Sequence, residues 1–188
     1  LTLHGASPGL KSTLSSAKIG GQVAGGRWNV EVGNAGSLKV GDAEGDWRLT
    51  VDGSVKALQS GADLTGDLTA ESFGSLKARG ALDATVTATG QDAKGISLGA
   101  LQAGDAWESS IHAFGGVKSV KVGAWAAGGF IEADWLGSLS VTGDFDADLT
   151  LHGASPGLKS TLSSAKVGGE VDAGRWTVEL GDTGVIKA

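Results

Sequence analysis

Residues 1–18 read LTLHGASPGLKSTLSSAK, and residues 149–166 repeat these letters without change. The agreement continues more loosely to residues 40 and 188, with 11 differences between the two segments. The chain therefore has a long period of 148 residues. Self-similarity at a fixed period indicates a repeat architecture. We expect one continuous unit over residues 1–188, with a complete long repeat at 1–148 and the start of the next at 149–188.

A shorter motif recurs inside the long repeat: Ser, then Leu or Val, then a variable residue, then Val or Ala. The seven steps from Ser12 to Ser160 average about 21 residues, so seven short units make one long repeat. Clear copies begin at Ser37, Ser54, Ser75, Ser97, Ser119 and Ser138, with weaker copies at Ser12, Ser160 and Val185.

The segments before this motif alternate apolar and polar residues, as in Trp28-Asn-Val-Glu-Val and Trp47-Arg-Leu-Thr-Val. Such alternation predicts strands with one buried face. Glycine corners such as Gly41-Asp42 separate them, because glycine accommodates sharp turns. The spacing predicts an all-β, single-stranded parallel β-helix, or β-solenoid, of about nine coils. A hairpin sandwich is the rival fold, but it does not require one fixed period.

The sequence also bears on the handedness of the coil and on its number of sides. We expect the coil to be right-handed. We also expect essentially no α-helix, because no segment keeps apolar residues at helical spacing. A triangular and a four-sided coil both fit the period. Four sides would give about five residues per side, close to the spacing of the glycine corners.

Three segments resemble a known family: Gly36-Ser-Leu-Lys-Val-Gly, Gly74-Ser-Leu-Lys-Ala-Arg-Gly and Gly137-Ser-Leu-Ser-Val-Thr-Gly-Asp. They are similar to the glycine-rich parallel β-helix repeats of very large secreted or surface proteins of planctomycetes and similar bacteria. A more distant resemblance is to adhesin and autotransporter passengers. The resemblance covers nearly the whole chain. It implies an extracellular or cell-surface location and a structural or adhesive role, with no catalytic residues to carry over.

Composition argues against several classes of function. The 15 basic and 21 acidic residues give a net charge of −6 without a run of either sign, which argues against a nucleic-acid surface. No apolar stretch approaches the roughly 20 residues of a membrane helix. Because the sequence has no cysteine, it has no thiolate metal site. Its three histidines are few for a catalytic triad or a histidine metal cluster. We therefore expect neither an enzyme nor a bound cofactor; a polysaccharide lyase or hydrolase is the weakest alternative.

A row of lysines is the first candidate binding feature. Lysines at one motif position are expected to line an outer face of the solenoid, with interruptions at Gly99 and Ser140. Such a row could contact an acidic polysaccharide or the acidic face of another rod, supplied by Glu31, Glu132 and Glu179. The alternative is a solvated face that discourages aggregation. The lysines of this row are Lys39, Lys56, Lys77, Lys121 and Lys187.

The tryptophans divide into two groups. Trp107, Trp125 and Trp135 break the strand register, so we consider them as exposed platforms for sugar stacking or as contacts between rods. The other three begin strands in similar places, which favours the core or a corner of the coil. These are Trp28, Trp47 and Trp176.

Three alternating carboxylates, Asp144, Asp146 and Asp148, form a weak candidate for Ca²⁺ binding. On a strand they project from one face, where a hard cation would relieve their mutual repulsion. A solvated outer face is the simpler interpretation of the same pattern.

These patterns predict a structural segment of an extracellular bacterial fibre, stalk or adhesin stem. Neither end of the sequence shows a cap, so we expect the solenoid to continue or to assemble end to end with itself into a filament. Lateral association of rods is a second form of self-assembly. The alternative function is a carbohydrate- or surface-binding β-helix module that uses the exposed Trp and Lys rows.

Overall fold

The computed structural model describes residues 1–4, 12–153 and 160–187, and this part of the chain is all β. Residues 5–11 and 154–159, which belong to the repeated eighteen-residue stretch, lie outside the described residues. The strands are β1 (Thr2–His4), β2 (Leu14–Glu31), β3 (Ala35–Ser60), β4 (Leu64–Ala78), β5 (Leu82–Ala88), β6 (Ile96–Gln102), β7 (Ser110–Ala113), β8 (Gly116–Val122), β9 (Phe130–Ala133), β10 (Leu136–Val141), β11 (Asp148–Leu151), β12 (Leu162–Val167), β13 (Trp176–Val178) and β14 (Thr183–Lys187).

All these strands pair in parallel with the equivalent segment of the next coil. The β-solenoid predicted from the sequence is confirmed, with about eight turns of roughly 20 residues each. β2, β3 and β4 are long because each continues around corners of the coil, whereas later coils break at their corners.

Each coil has three sides in the described residues, so it has the triangular form and not the four-sided form considered from the sequence. Face 1 is built by nine segments, residues 14–19, 35–40, 54–60, 73–78, 96–102, 116–122, 136–141, 162–167 and 183–187. Face 2 is built by residues 2–4, 28–31, 49–51, 68–70, 86–88, 111–113, 131–133, 149–151 and 176–178. Face 3 is a shorter row through Val23, Ala43, Leu64, Leu82, Ala106, Trp125 and Phe145.

The interior is filled by stacks of like side chains, one from each coil. On face 1 an uninterrupted buried stack runs along the axis, because every coil places an apolar residue at the same inward position. Burying a Leu or Val side chain stabilises the fold by about 1.5–3 kcal/mol. The members of this stack are Leu38, Leu58, Leu76, Leu101, Val120, Leu139 and Ala165, each at most 2% exposed.

The register of face 1 corrects four copies of the serine motif. The two weak copies begin at Ser16 and Ser164 rather than at Ser12 and Ser160, because Ser16 pairs with Ser37 and Ser164 pairs with Ser138. Leu58 pairs with Leu76 and Leu76 pairs with Leu101, so the matching positions are Ala57 and Ala100 rather than Ser54 and Ser97. Both segments hold two apolar residues three apart, Val55 with Leu58 and Leu98 with Leu101, and all four are buried. A motif defined by one apolar residue could therefore be aligned with either.

The long repeat recurs in the strand pairing. Leu3 faces Val30 in the first coil, and their counterparts Leu151 and Val178 face each other 148 residues later. On face 1, Lys18 faces Lys39, and Lys166 faces Lys187. Each long repeat therefore advances the solenoid by seven coils and returns it to the same register.

Candidate functional site

The lysine row exists, but its membership differs from the sequence prediction. The register aligns Lys39, Lys77 and Lys121 with Lys18, Lys166 and Lys187 in one outward column of face 1. Lys56 was wrongly placed in this column: it faces Gly74, and Gln59 takes the predicted position. The interruption expected at Gly99 lies at Gln102, whereas Ser140 interrupts the column as predicted.

Exposure of the tryptophans differs sharply along the chain. Trp107 is 59% exposed, so it remains available for contact, but Trp125 is fully buried and Trp135 is 6% exposed. The interpretation of Trp125 and Trp135 as exposed platforms was therefore wrong. Trp125 points inward from face 3 and packs edge-on against Phe145, with ring centroids 5.9 Å apart. A Trp outside the alternating pattern can point either outward or inward. At Trp125 the glycine-rich corners leave room for the inward orientation.

The tryptophans expected in the core lie inside or at corners. Trp47 is fully buried and meets Trp28 edge-on at 5.8 Å. Trp28 and Trp176 are half-buried and occupy equivalent places, opposite Leu49 and Leu149. Trp176 also packs edge-on against Phe145 at 5.6 Å, so Trp125, Phe145 and Trp176 form a short aromatic stack along the axis.

The three aspartates of the Ca²⁺ candidate bind the next coil of their own chain. An Oδ1 atom of Asp144 accepts the N–H of Glu170 at 2.9 Å, and that of Asp148 accepts the N–H of Arg175 at 2.8 Å. Asp146 accepts the N–H of Asp172 at 3.1 Å. Within the described ranges no group of three or more His or acidic side chains is arranged to hold a metal ion.

A chain of alternating imidazoles and carboxylates lies on face 2. Glu132 is hydrogen-bonded to Nδ1 of His112 and to Nε2 of His152, each at 3.0 Å. Nδ1 of His152 is in turn hydrogen-bonded to Glu179 at 2.9 Å. These hydrogen-bonded imidazoles and carboxylates were not predicted from the sequence. A signal was present, since His4 and Glu31 stand 27 residues apart and recur as His152 and Glu179, and the earlier pair is also hydrogen-bonded.

The hydrogen bonds among these imidazoles and carboxylates shift the pKa values of two side chains. The hydrogen bonds to Glu179 and then to Glu132 raise the pKa of His152 above its ordinary value near 6.5. The hydrogen bonds from His152 and His112 lower the pKa of Glu132 below its ordinary value near 4.5. All four side chains are 40–51% exposed, so water screens the interaction and limits its contribution to stability.

These shifts predict a pH dependence of stability. The contribution of His152 is fully present below about pH 6.5 and is lost as the pH rises through its raised pKa. That of Glu132 is present above about pH 4.5 and is lost as the pH falls through its lowered pKa. We expect His152→Gln to flatten the decline in urea midpoint between pH 5.5 and pH 8.5, and Glu179→Gln to lower the NMR titration midpoint of His152. If the NMR titration midpoint of His152 is unchanged in Glu179→Gln, the hydrogen bond to Glu179 is not what raises the pKa of His152.

A shallow groove of about 380 Å³ runs beside these hydrogen-bonded side chains. It is lined by Thr87, Phe114 and Asp134 as well as by His112, Glu132 and His152. Phe114 is 65% exposed at its edge. A second groove, of about 280 Å³, lies beside Trp107, Asp105 and Asp144. Both grooves are open and line the outside of the rod, which suits contact with an extended surface better than enclosure of a small substrate.

No protein-family model matches the chain, and neither a curated protein nor a solved structure is significantly similar to it. In the part of the chain that the structure describes, no helix is long and apolar enough to cross a membrane.

Proposed function

We propose that this chain is a structural tandem-repeat segment of an extracellular fibre, stalk or adhesin stem, in which length and stiffness are the function. The observation that carries the proposal is the return of strand pairing after 148 residues. Leu14 faces Ala35 in the first copy, and Leu162 faces Thr183 in the second. A further copy placed after residue 188 would therefore meet the same register that residues 41 onward meet in the first repeat.

Side-chain contacts recur with the same offset and support this proposal. Thr13 donates its hydroxyl hydrogen to the carbonyl of Val32 at 2.7 Å, and Thr161 donates to the carbonyl of Leu180 at 2.5 Å. The repeat thus preserves the corner of the coil as well as its strands. Repetition of whole coils lengthens a rod without assembling a new site, because each coil contacts only its neighbours.

The test is to append a copy of residues 41–188 after residue 188 and to measure the maximum dimension by small-angle X-ray scattering. Seven coils at the inter-strand spacing of about 4.8 Å predict a rod longer by roughly 34 Å with an unchanged cross-section. A profile of two flexibly linked bodies would contradict continuation of the solenoid.

Carbohydrate or surface binding remains the second candidate. Of the three tryptophans considered for this role, Trp107 is exposed and available for binding. Phe114, which the sequence analysis did not consider, is a second exposed aromatic side chain. Exposed aromatic rings beside polar groups are typical of binding surfaces.

A further inference from the structure

The two signs of charge are separated around the rod. The nine segments of face 1 contain no Asp or Glu, and they contain eight of the 15 basic residues. The other seven basic residues and all 21 acidic residues lie outside these segments, so +8 on face 1 stands against −14 on the rest of the chain. The eight are Lys18, Lys39, Lys56, Lys77, Lys118, Lys121, Lys166 and Lys187.

Small side chains adjoin the lysine column of face 1. Beside the lysine column runs a column of small outward residues, set by the same register. In eight of the nine face-1 segments these small side chains let another surface approach the ammonium groups closely; in the ninth, Val185 takes the position. This column holds Ser16, Ser37, Ala57, Ser75, Ala100, Ser119, Ser138 and Ser164.

A complementary acidic column lies at the corner where the chain leaves face 2. In five of the nine face-2 segments, the residue that follows the last inward position, the one aligned with Val30 and Val51, is acidic. Hydrogen bonds hold this corner in register: the carboxylate of Asp52 accepts the N–H of Val32, and the carbonyl of Glu71 accepts the N–H of Gly90. The five residues are Glu31, Asp52, Glu71, Asp134 and Glu179.

Each coil contributes one position to each column, so neighbouring positions in both columns are about 4.8 Å apart. Six of nine positions in the lysine column hold Lys and five of nine in the acidic column hold Asp or Glu, so the charges of both columns lie at multiples of one spacing. Single exposed ion pairs contribute only about 0–1 kcal/mol, but a commensurate row adds them along the rod.

We propose that face 1 is a lateral docking surface for the acidic corner column of a second copy of this chain. Rods then associate side by side, and each added long repeat strengthens the contact. This inference rests on the proposed function, since it takes the rod as the unit that associates.

The experiment compares the natural chain and the chain extended by residues 41–188, using sedimentation velocity and the scattering cross-section at low and high salt. We expect concentration-dependent pairing at low salt, tighter in the extended chain and abolished at about 0.5 M salt, where the Debye length falls to a few ångströms. A thickened cross-section without added length distinguishes lateral pairing from end-to-end pairing.

The diagnostic variant is Lys39→Glu, Lys77→Glu and Lys121→Glu together. Its matched control is Arg27→Glu, Lys94→Glu and Arg175→Glu, which makes the same change in net charge outside face 1. We expect the face-1 variant to weaken pairing at least tenfold and the control to retain it. Mixing the face-1 variant with a Glu31→Lys, Glu71→Lys, Asp134→Lys chain is expected to restore pairing that neither variant shows alone.

Three results would overturn the docking proposal. Equal loss of pairing in the control would reduce the effect to net charge. A chain that lengthens by roughly 34 Å on extension yet stays a single rod at every concentration would leave the proposed function intact and remove lateral docking. Salt-sensitive binding of polygalacturonate to face 1 without self-association would identify the surface as one for anionic polymers instead.

Discussion

Gly66→Ala is expected to be severely destabilising, because two penalties coincide at this corner. Gly66 has a φ of +105°, which L-residues with a side chain rarely adopt, and a methyl group there would lie closer than 3.0 Å to the carbonyl oxygen of Trp47 in the previous coil. Positive φ costs about 1–2 kcal/mol, and crowding in a packed structure about 1–3 kcal/mol. We expect a total loss of about 4 kcal/mol in the free energy of unfolding.

Three other glycines separate these penalties. Gly128 has a φ of +88°, and its methyl position would make only an ordinary van der Waals contact of 3.8 Å with Cγ of Glu108, so Gly128→Ala measures backbone strain. Gly74 has the steric conflict, with the carbonyl of Lys56, and no left-handed φ; at Gly20 neither penalty applies. Urea unfolding followed by circular dichroism should rank Gly66→Ala as most destabilising and Gly20→Ala as least. Equal stability of the Gly66 and Gly20 variants would contradict the corner geometry.

Trp125→Ala is the second substitution with a large expected effect. The indole is fully buried and packs against Phe145, which continues the aromatic stack to Trp176. Removing a buried aromatic side chain costs about 3–5 kcal/mol, because the cavity closes only in part. Such a loss should appear as a lower urea midpoint in far-UV circular dichroism.

Trp107→Ala is the matched control, since it removes the same side chain from an exposed position on the preceding coil. We expect its unfolding free energy to change by no more than about 0.5 kcal/mol, as for most surface substitutions. Comparable losses in the two variants would show that Trp125 is not in the core.

The fold could be predicted from the sequence because a coil of fixed perimeter imposes its period on every residue. The repeated eighteen residues fixed the long period, and the recurring apolar positions fixed the short one. Exact register could not be predicted where one coil offers two apolar residues three apart, as at Val55 and Leu58. There the choice depends on which side chains the neighbouring coils bury.

Less of the surface could be predicted. The lysine column was visible as a pattern, but the position of Lys56 depended on the register of its coil. Exposure of Trp107 and burial of Trp125 could not be separated by sequence, because both lie in corner segments without alternation. The hydrogen bonds of Glu132 join three successive coils, and residues about 20 apart give no local signal.

The separation of charge is a property of the folded faces and not of the order of residues along the chain. Along the sequence, acidic and basic residues are mixed and neither sign forms a run. Folding at roughly 20 residues per turn brings the lysine-bearing segments together and places the acidic corners elsewhere. A charge pattern with the period of a coil is therefore a more informative signal in a solenoid than a charge run.

We propose that the 148-residue unit continues a single solenoid without interruption. The most direct measurement is electron cryo-microscopy of a chain that carries several tandem copies of this unit. We expect straight, unbranched rods whose averaged images show layers about 4.8 Å apart and an axial repeat near 34 Å. Separate bodies joined by gaps, or layers whose features recur at a different multiple of the coil spacing, would contradict the account.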